Sequence, residues 1–569
     1  MNQMEFVPGD VSQQIQTAAD AANTAELAKR IWRKDAALWK DDEASQKVIK
    51  NALGWLTVPD EMIGVADELR EYSDIVRQHG FQKVMVCGMG GSSLCPEVLA
   101  KTFGRQPGYP ELLVLDSTDP DVLAAWLQEV DVAHCLFIIA SKSGSTTEPN
   151  TFYKFWYDQA SKVVTTPGNN FVAITDPGSP LVDTAQKLGF QRTFLNQADI
   201  GGRYSALSYF GMLPAALMGV DIKGMLSLAK EAAQTSFPVM PVDKNTALQL
   251  GAIMGACANA GRDKLTLVID QKIATLGLWI EQLVAESTGK EGKGIVPIAS
   301  EGLGTVDEYG TDRLFVSISV GPTDPVVRQK LQDLSAAGHP VVFRELNDIN
   351  ELGAEFFTWE FATACAGWHL GINPFDQPNV QESKDATKDL LKTFEQHGSL
   401  PEQTKLVADE VITIYAEEGQ EHLANSSTAE ALRSYLASIK PGDYVAFLDY
   451  MEETPMIESA LQSIRLKVRD AKKCATTTGY GPRFLHSTGQ LHKGGPDSGV
   501  FFQLTAIDRT DFPVPGEPYT FSILKQAQAL GDFRSLVSHG RRAIRVELGK
   551  DVIAGLTRLE MLIANALAS

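Results

Sequence analysis

An apolar run, CLFIIA, opens into Ser141-Lys142-Ser143-Gly144-Ser145-Thr146-Thr147-Glu148-Pro149, and a helical stretch, NTFYKFWYDQA, follows. Five of the first seven loop residues carry hydroxyls. Clustered hydroxyls and unspent N–H groups at a helix start suit one phosphate dianion. A capping-rich turn would use the same residue types. A second loop, Gly88-Met89-Gly90-Gly91-Ser92-Ser93, joins the run KVMVC to the helical stretch SLCPEVLAKTF. Its glycines let backbone N–H groups approach an anion. Gly88, Gly90 and Ser93 also imitate a dinucleotide fingerprint, with Asp116 on the next strand as a ribose ligand. No Gly-Lys-Ser/Thr follows, so this is not a P-loop. Two such loops at the carboxyl ends of parallel strands point to one crevice, whereas a dinucleotide site needs only one of them.

Further along stand groups suited to moving a proton. Glu286 lies in Gln282-Leu283-Val284-Ala285-Glu286-Ser287-Thr288-Gly289-Lys290, flanked by Trp279, Ile280 and Gly289, which suggests a partly apolar site. One carboxylate can carry a proton between adjacent carbons. Arg203 follows two glycines in Gly201-Gly202-Arg203-Tyr204-Ser205 and supplies a permanent cation that can approach a ligand closely. As alternatives, Glu286 is one of 71 acidic residues and Arg203 could cap a helix. His486 and His492 are not spaced for one helical face, and no His/Cys/carboxylate cluster has ligand spacing. Neither a metal nor an organic cofactor is expected.

SKSGSTTEP after a buried strand resembles the phosphate loop of sugar isomerase (SIS) domains. With GMGGSS, GGRYS, the Gln282–Lys290 segment and Asn373-Pro374-Phe375-Asp376-Gln377-Pro378-Asn379-Val380-Gln381-Glu382-Ser383-Lys384, the chain resembles the glucose-6-phosphate isomerase family over about residues 60–385. The resemblance implies an aldose–ketose isomerase of glycolysis and gluconeogenesis that works without a cofactor. Glu286 would move the proton between C1 and C2. Arg203 would stabilise the enediolate, and Lys384 would act near the ring oxygen or the sugar hydroxyls. Gly91, Ser92, Ser141, Ser143, Thr146, Gln282 and Gln377 would bind the sugar phosphate. A cytoplasmic homodimer is implied as well.

Two departures stand out. Asn379 and Gln381 replace the Gly and Glu usual in the last signature. The family's ring-opening histidine normally lies between the catalytic glutamate and the lysine, where this chain has only His339 and His369. A family-like stretch, Leu485-His486-Ser487-Thr488-Gly489-Gln490, comes instead after the signature, as in the isomerase half of bifunctional transaldolase/isomerase chains. Ring opening is therefore assigned to His486, with His492 as the nearest rival. Three other activities share some of these features: an isomerase that also accepts mannose 6-phosphate, a non-catalytic SIS protein that senses a sugar phosphate, and a nicotinamide-dependent oxidoreductase resting on the glycine loop and Asp116.

The elements that must hold these groups follow from the apolar pattern. KVMVCG, ELLVLDS, CLFIIASKSG and NFVAITD alternate with amphipathic stretches, which predicts a parallel sheet covered on both faces. KLTLVID, RLFVSISV and PVVFREL repeat the texture, and YVAFLDY, VFFQLTAI and AIRVELG return to it after Lys440-Pro441-Gly442-Asp443. The expected class is α/β: two SIS-type doubly wound domains, added helical segments and a C-terminal α/β region. The expected divisions are a helical segment at 1–59, a phosphate-binding domain at 60–240, a second domain with Glu286 and Lys384 at 241–385, and a helical connection with the α/β region at 386–569. Whether the last region completes the second sheet or stands alone is open at this level.

Composition removes other classes. With 51 basic and 71 acidic residues, the net charge of −20 repels nucleic acid and anionic membranes, so neither is an expected partner. Six scattered cysteines without a C-x-x-C pair read as reduced core thiols of a cytosolic protein. The opening MNQMEFVPGD lacks a signal-peptide pattern, and the apolar run Ala206–Val220 is too short to span a bilayer.

Overall fold

In the α/β pattern each strand runs in the same direction and returns through a helix, so a sheet is buried on both faces and its strands are apolar throughout. Strand β4 shows this: all six residues of Cys135–Ala140 are buried. A computed structural model describes residues 3–240, 244–417 and 427–568. Its strands in chain order are β1 (Gln3–Val7), β2 (Lys83–Cys87), β3 (Glu111–Leu115), β4 (Cys135–Ala140), β5 (Phe171–Thr175), β6 (Arg192–Leu195), β7 (Lys264–Ile269) and β8 (Val296–Ile298). They continue with β9 (Arg313–Val320), β10 (Val341–Leu346), β11 (Thr404–Ala408), β12 (Thr413–Ala416), β13 (Tyr444–Tyr450), β14 (Ala475–Tyr480), β15 (Gly499–Thr505) and β16 (Arg542–Glu547).

They form three sheets. The first has the order β3-β2-β4-β5-β6 and is parallel throughout. The second, β1-β10-β9-β7-β8, is parallel except for β1, which pairs antiparallel with β10. The third, β11-β12-β16-β15-β13-β14, has four parallel strands and an antiparallel hairpin on one edge. In each, the first parallel strand lies between the second and the third. The winding direction therefore reverses beside β2, β7 and β13, and a crevice forms at the carboxyl ends there.

The last region does not complete the second sheet; it builds its own. The stretch 385–440, expected to be helical, also contains the β11–β12 hairpin. Its strands are short and partly exposed, which hides the alternation that marks a strand. The segment before residue 60 holds β1 and then the helices Ser12–Thr24, Leu27–Trp32 and Glu43–Lys50.

Packing joins the three sheets around the crevices. Trp55, Trp279 and Trp359 are at most 1% exposed in a core shared by the first two sheets and the leading helices. At about 1.5–3 kcal/mol per fully buried large apolar side chain, such residues dominate the cohesion. Ala285, Val296 and Ile298 meet Tyr444, Leu448, Phe484 and Leu485 in a separate cluster, so the third sheet packs directly on the helix that carries Glu286. A buried ion pair lies at the same seam: Glu301 holds Arg313 of β9 at 2.9 Å, and across the seam it accepts the Thr476 N–H of β14 at 2.9 Å. All six cysteines are free and buried. Among the described residues no helix is long and apolar enough to cross a membrane.

Candidate active site

The glycine loop after β2 is where three distant segments converge. Gly90 has φ +55°, in the left-handed region that favours glycine, and a Cβ there would stand 2.6 Å from the His486 carbonyl oxygen and 2.7 Å from Gln282 Nε2. A Cβ on Gly91 would stand 1.9 Å from the Gly202 carbonyl oxygen. The glycines thus bring GGRYS, the Glu286 helix and the His486 loop together. Ser92 is half-buried beside them. Ser93 donates to Asp116 at 3.2 Å, and Arg483 grips that carboxylate through Nε at 2.8 Å and Nη2 at 3.0 Å. With its oxygens so engaged, Asp116 is not placed as a ribose ligand, and the dinucleotide reading loses its second support.

The hydroxyl loop leaves β4 and enters the helix Thr147–Ser161. Ser141 donates to Thr146 at 3.2 Å, and the Ser143 and Ser145 hydroxyls share a 3.0 Å bond. Thr146 is the N-cap residue but spends no side-chain bond on the cap. Lys142 turns away, paired with Asp176 and donating to the Ala198 carbonyl at 2.9 Å. The loop therefore offers hydroxyls and helix N–H groups to an anion.

Glu286 lies on the helix Leu276–Thr288 and is 8% exposed. Arg203 faces it, Nη1 to Oε1 at 3.2 Å. The same guanidinium donates to Ser287 Oγ at 2.7 Å, Gln377 Oε1 at 3.0 Å, and the Pro374 and Asp376 carbonyls at 2.7 and 3.0 Å. These contacts account for all its N–H groups, so the buried charge is held in one pose. Gln282, one turn before Glu286, donates through Nε2 to Glu286 Oε2 at 3.2 Å and to the His486 carbonyl at 2.8 Å. Lys290 donates to Asp376 Oδ1 at 2.7 Å; burial, then the nearby Arg203 charge, pulls its ammonium down to about 8. On the same helix Glu281 accepts the Ala299 N–H at 3.0 Å, and burial pushes its carboxyl up to about 7.

His486 sits at the end of a short turn, Arg483–His486, after β14. Its Nε2 lies 3.1 Å from Glu148 Oε1, and Gln528 Nε2 donates to the same oxygen at 2.6 Å. Burial pushes the Glu148 carboxyl up, but the His486 imidazole and the Lys384 ammonium outweigh it and hold it below the usual carboxylate range. Lys384 is half-buried on the helix Pro378–His397, and Gln377 is the residue before that helix. The other histidines lie apart from this group. His339 is buried against Arg262, 3.3 Å away, and burial and that charge lower it to about 4. His369 packs on Trp368 and is lowered by burial to about 4. His492 is enclosed by Tyr444, Phe484 and Phe501 and is pushed far down by burial.

Of the expected site residues, Arg203, Glu286, Gln282, Gln377 and the His486 loop are joined by direct contacts. Sequence reasoning assigned no role to Glu148, Gln528, Lys290 or Asp376. The first closes the hydroxyl motif and Lys290 and Asp376 lie within quoted motifs, but nothing in the pattern around Gln528 marks it. The departure at position 379 has a structural reason. The Asn379 N–H donates to Gln490 Oε1 at 2.9 Å, and Gln490 Nε2 donates back to Asn379 Oδ1 at 2.8 Å, clasping the lysine signature to the His486 loop.

Residues 51–307 match the family model described as phosphoglucose isomerase. The match spans a little under half of the chain. The match includes both anion loops, Arg203 and Glu286, and ends before Gln377, Lys384 and His486. Among curated relatives, a probable glucose-6-phosphate isomerase of Methanococcus maripaludis is 26% identical over 391 residues, covering 61% of this chain and 86% of that one. A glucose-6-phosphate isomerase of Leptospira interrogans is 27% identical over 413 residues, covering 62% and 90%. The fold is also seen in a glucose-6-phosphate isomerase from Chlamydia trachomatis, with TM-score 0.55 and 17% identity over 69% of this chain and 89% of that one. A hypothetical protein from Thermus thermophilus gives TM-score 0.56 at 21% identity, covering 68% and 99%.

Proposed function

We propose that the chain interconverts glucose 6-phosphate and fructose 6-phosphate through an enediolate, in glycolysis and gluconeogenesis. The observation that carries this reading is the Gln282 amide, which ties the Glu286 carboxylate to the His486 loop beside a fixed guanidinium. An isomerase of cyclic sugars needs a ring-opening acid and a C–H base in one crevice, and a sensor of sugar phosphates needs neither.

In this mechanism Ser141, Ser143, Thr146 and the start of their helix hold the phosphate, while Gly91 and Ser92 admit the sugar against the second loop. His486 gives a proton to the ring oxygen, the bond from that oxygen to the anomeric carbon breaks, and the anomeric hydroxyl becomes the carbonyl as its proton passes to solvent water. The Lys384 ammonium donates hydrogen bonds to the sugar oxygens, and the chain form of the sugar results. Glu148 orients the imidazole. Glu286 removes the proton from C2 of the aldose and returns it to C1 on the same face, a general-base contribution of about 10²–10⁴-fold. Arg203 stabilises the negative oxygens of the enediolate, and preorganised charge of this kind is often the largest catalytic contribution. Gln282 and Gln377 hold the base and the cation in register.

The reading extends to a cytoplasmic homodimer that binds neither nucleic acid nor membranes, as the family resemblance and the net charge of −20 suggest. The divisions at about residues 60, 240 and 385 belong to it as well. Mixing the protein with fructose 6-phosphate, without nucleotide or added metal, should yield glucose 6-phosphate. No conversion would overturn the proposal.

A further inference from the structure

The third sheet carries a cavity that the isomerisation does not use. It measures about 660 Å³ and lies between the carboxyl ends of β13, β15 and β16, the helix Phe521–Ser538 and the segment 398–403. Arg545 and Tyr450 line it, with 4% and 0% of their surface exposed. Arg545 donates through Nε to Gln503 Oε1 at 2.7 Å and through Nη1 to Gln403 Oε1. Its Nη2 and the Tyr450 hydroxyl have no hydrogen-bond partner among the described residues. Burial pulls the guanidinium down to about 10, and the Tyr450 phenol is among the groups that act on it. Buried donors left unmet are costly, the more so on a charged group.

Two neighbouring donors, one of them cationic, ask for a group that only accepts. A carboxylate can accept from the open Nη2 of the guanidinium and from the phenol together. Glu417, Asp532 and Glu547 also act on Arg545, and Glu402, Asp508 and Glu547 stand in the wall, so a second negative charge on the ligand is disfavoured and a phosphate dianion fits less well. Tyr415, Ser522 and Gln526 supply further hydrogen-bonding side chains to the wall.

The wall is also connected to the catalytic group. Gln503, held by Arg545, donates to the Ala529 carbonyl at 2.9 Å and to Asp532 at 3.4 Å. Asp532 in turn holds Lys493 at 2.6 Å, in the helix Gly489–Gly494 just after His486. The helix that lines the cavity through Gln526 and Ala529 reaches Glu148 through Gln528. We propose that this cavity binds a hydroxylated monocarboxylate through Arg545 and Tyr450, and that its occupancy is felt at the Glu148–His486 pair.

Calorimetric titration of the full chain with gluconate, the catalytic crevice being saturated with the glucose 6-phosphate/fructose 6-phosphate mixture, tests the binding. One saturable equivalent is expected, with inorganic phosphate at least ten-fold weaker. Arg545→Met should weaken gluconate at least ten-fold. Tyr450→Phe, which removes only a hydroxyl, should weaken it about three-fold and serves if the first variant does not fold. No saturable binding, or the same affinity in the variants, would overturn the site; tighter binding of phosphate would overturn the assigned chemistry. The second arm alone rests on the isomerase reading: gluconate should change kcat at least two-fold in the unsubstituted chain and not in Arg545→Met. Binding with kcat unmoved would overturn the link to His486.

Discussion

The Arg203 guanidinium stands 3.2 Å from the Glu286 carboxylate, and the other N–H groups of that arginine are bound to Ser287, Gln377 and the Pro374 and Asp376 carbonyls. The cation therefore has little freedom to follow a substrate; the substrate must come to it. One Glu286 oxygen faces that cation and the other faces the Gln282 amide, so the carboxylate is oriented before the sugar arrives. Such preorganisation lowers the rearrangement needed at the moment of proton transfer.

Glu286→Gln keeps the shape but removes the proton acceptor, and its NH2 cannot accept from one of the two donors, Arg203 and Gln282. A drop of about 10²–10⁴-fold in kcat is expected, with KM nearly unchanged. Steady-state kinetics on fructose 6-phosphate checks this, and turnover above a tenth of the original would end the assignment.

His486→Asn separates ring opening from proton transfer. Turnover of cyclic fructose 6-phosphate should fall strongly, while C–H exchange in an already open-chain substrate should fall far less. Equal losses in the two assays would move His486 to another step, and no loss in either would return the role to another histidine.

Ser143→Ala and Thr146→Ala each remove a hydroxyl from the phosphate. Charge-assisted bonds of this kind are worth about 1.5–3 kcal/mol each. Substrate and inorganic phosphate should weaken together. Unchanged phosphate inhibition in the double variant would place the anion site elsewhere.

Glu281 gives a pH signature in stability. Its folded carboxyl is raised from 4.5 to about 7 by burial, so between those values the folded chain holds a proton that the unfolded chain releases. Stability is then lost as pH rises through that window and is flat above it. At 1.36 kcal/mol per unit the cost reaches about 3 kcal/mol. Glu281→Gln should therefore stabilise the protein at pH 8 and change little near pH 4.5. Urea unfolding at the two pH values measures this, and an equal effect at both would refute it.

Much of this was legible in the sequence because the apolar runs that read as strands are inner strands or carry loops of the site. CLFIIA and YVAFLDY are buried at every position, and they became β4 and β13. What escaped lies at edges, where water replaces half the packing signal. ATTTGY reads as polar yet forms β14, and TKLVA and TIYA form a hairpin beside β16. The catalytic motifs were legible for the same reason that Gln528 was not. Glu286 and Gln282 are one helical turn apart, so their spacing carries information. Glu148 meets His486 across 338 residues and Gln528 across 380, and no local pattern records such a meeting.

The His486 loop reaches the Glu286 helix from the same continuous polypeptide, held by Gln282, Asn379 and Gln490. Glu286, Arg203 and His486 thus meet within one chain, and where two copies associate, a defect in one is expected not to be repaired by the other. A cell carrying two alleles, one with Glu286→Gln and one with His486→Asn, should gain no activity beyond the sum of the two. Co-expressing differently tagged variants and assaying the hybrid would show this, and a recovery toward a quarter or half of normal turnover would mean that the crevice is shared between copies.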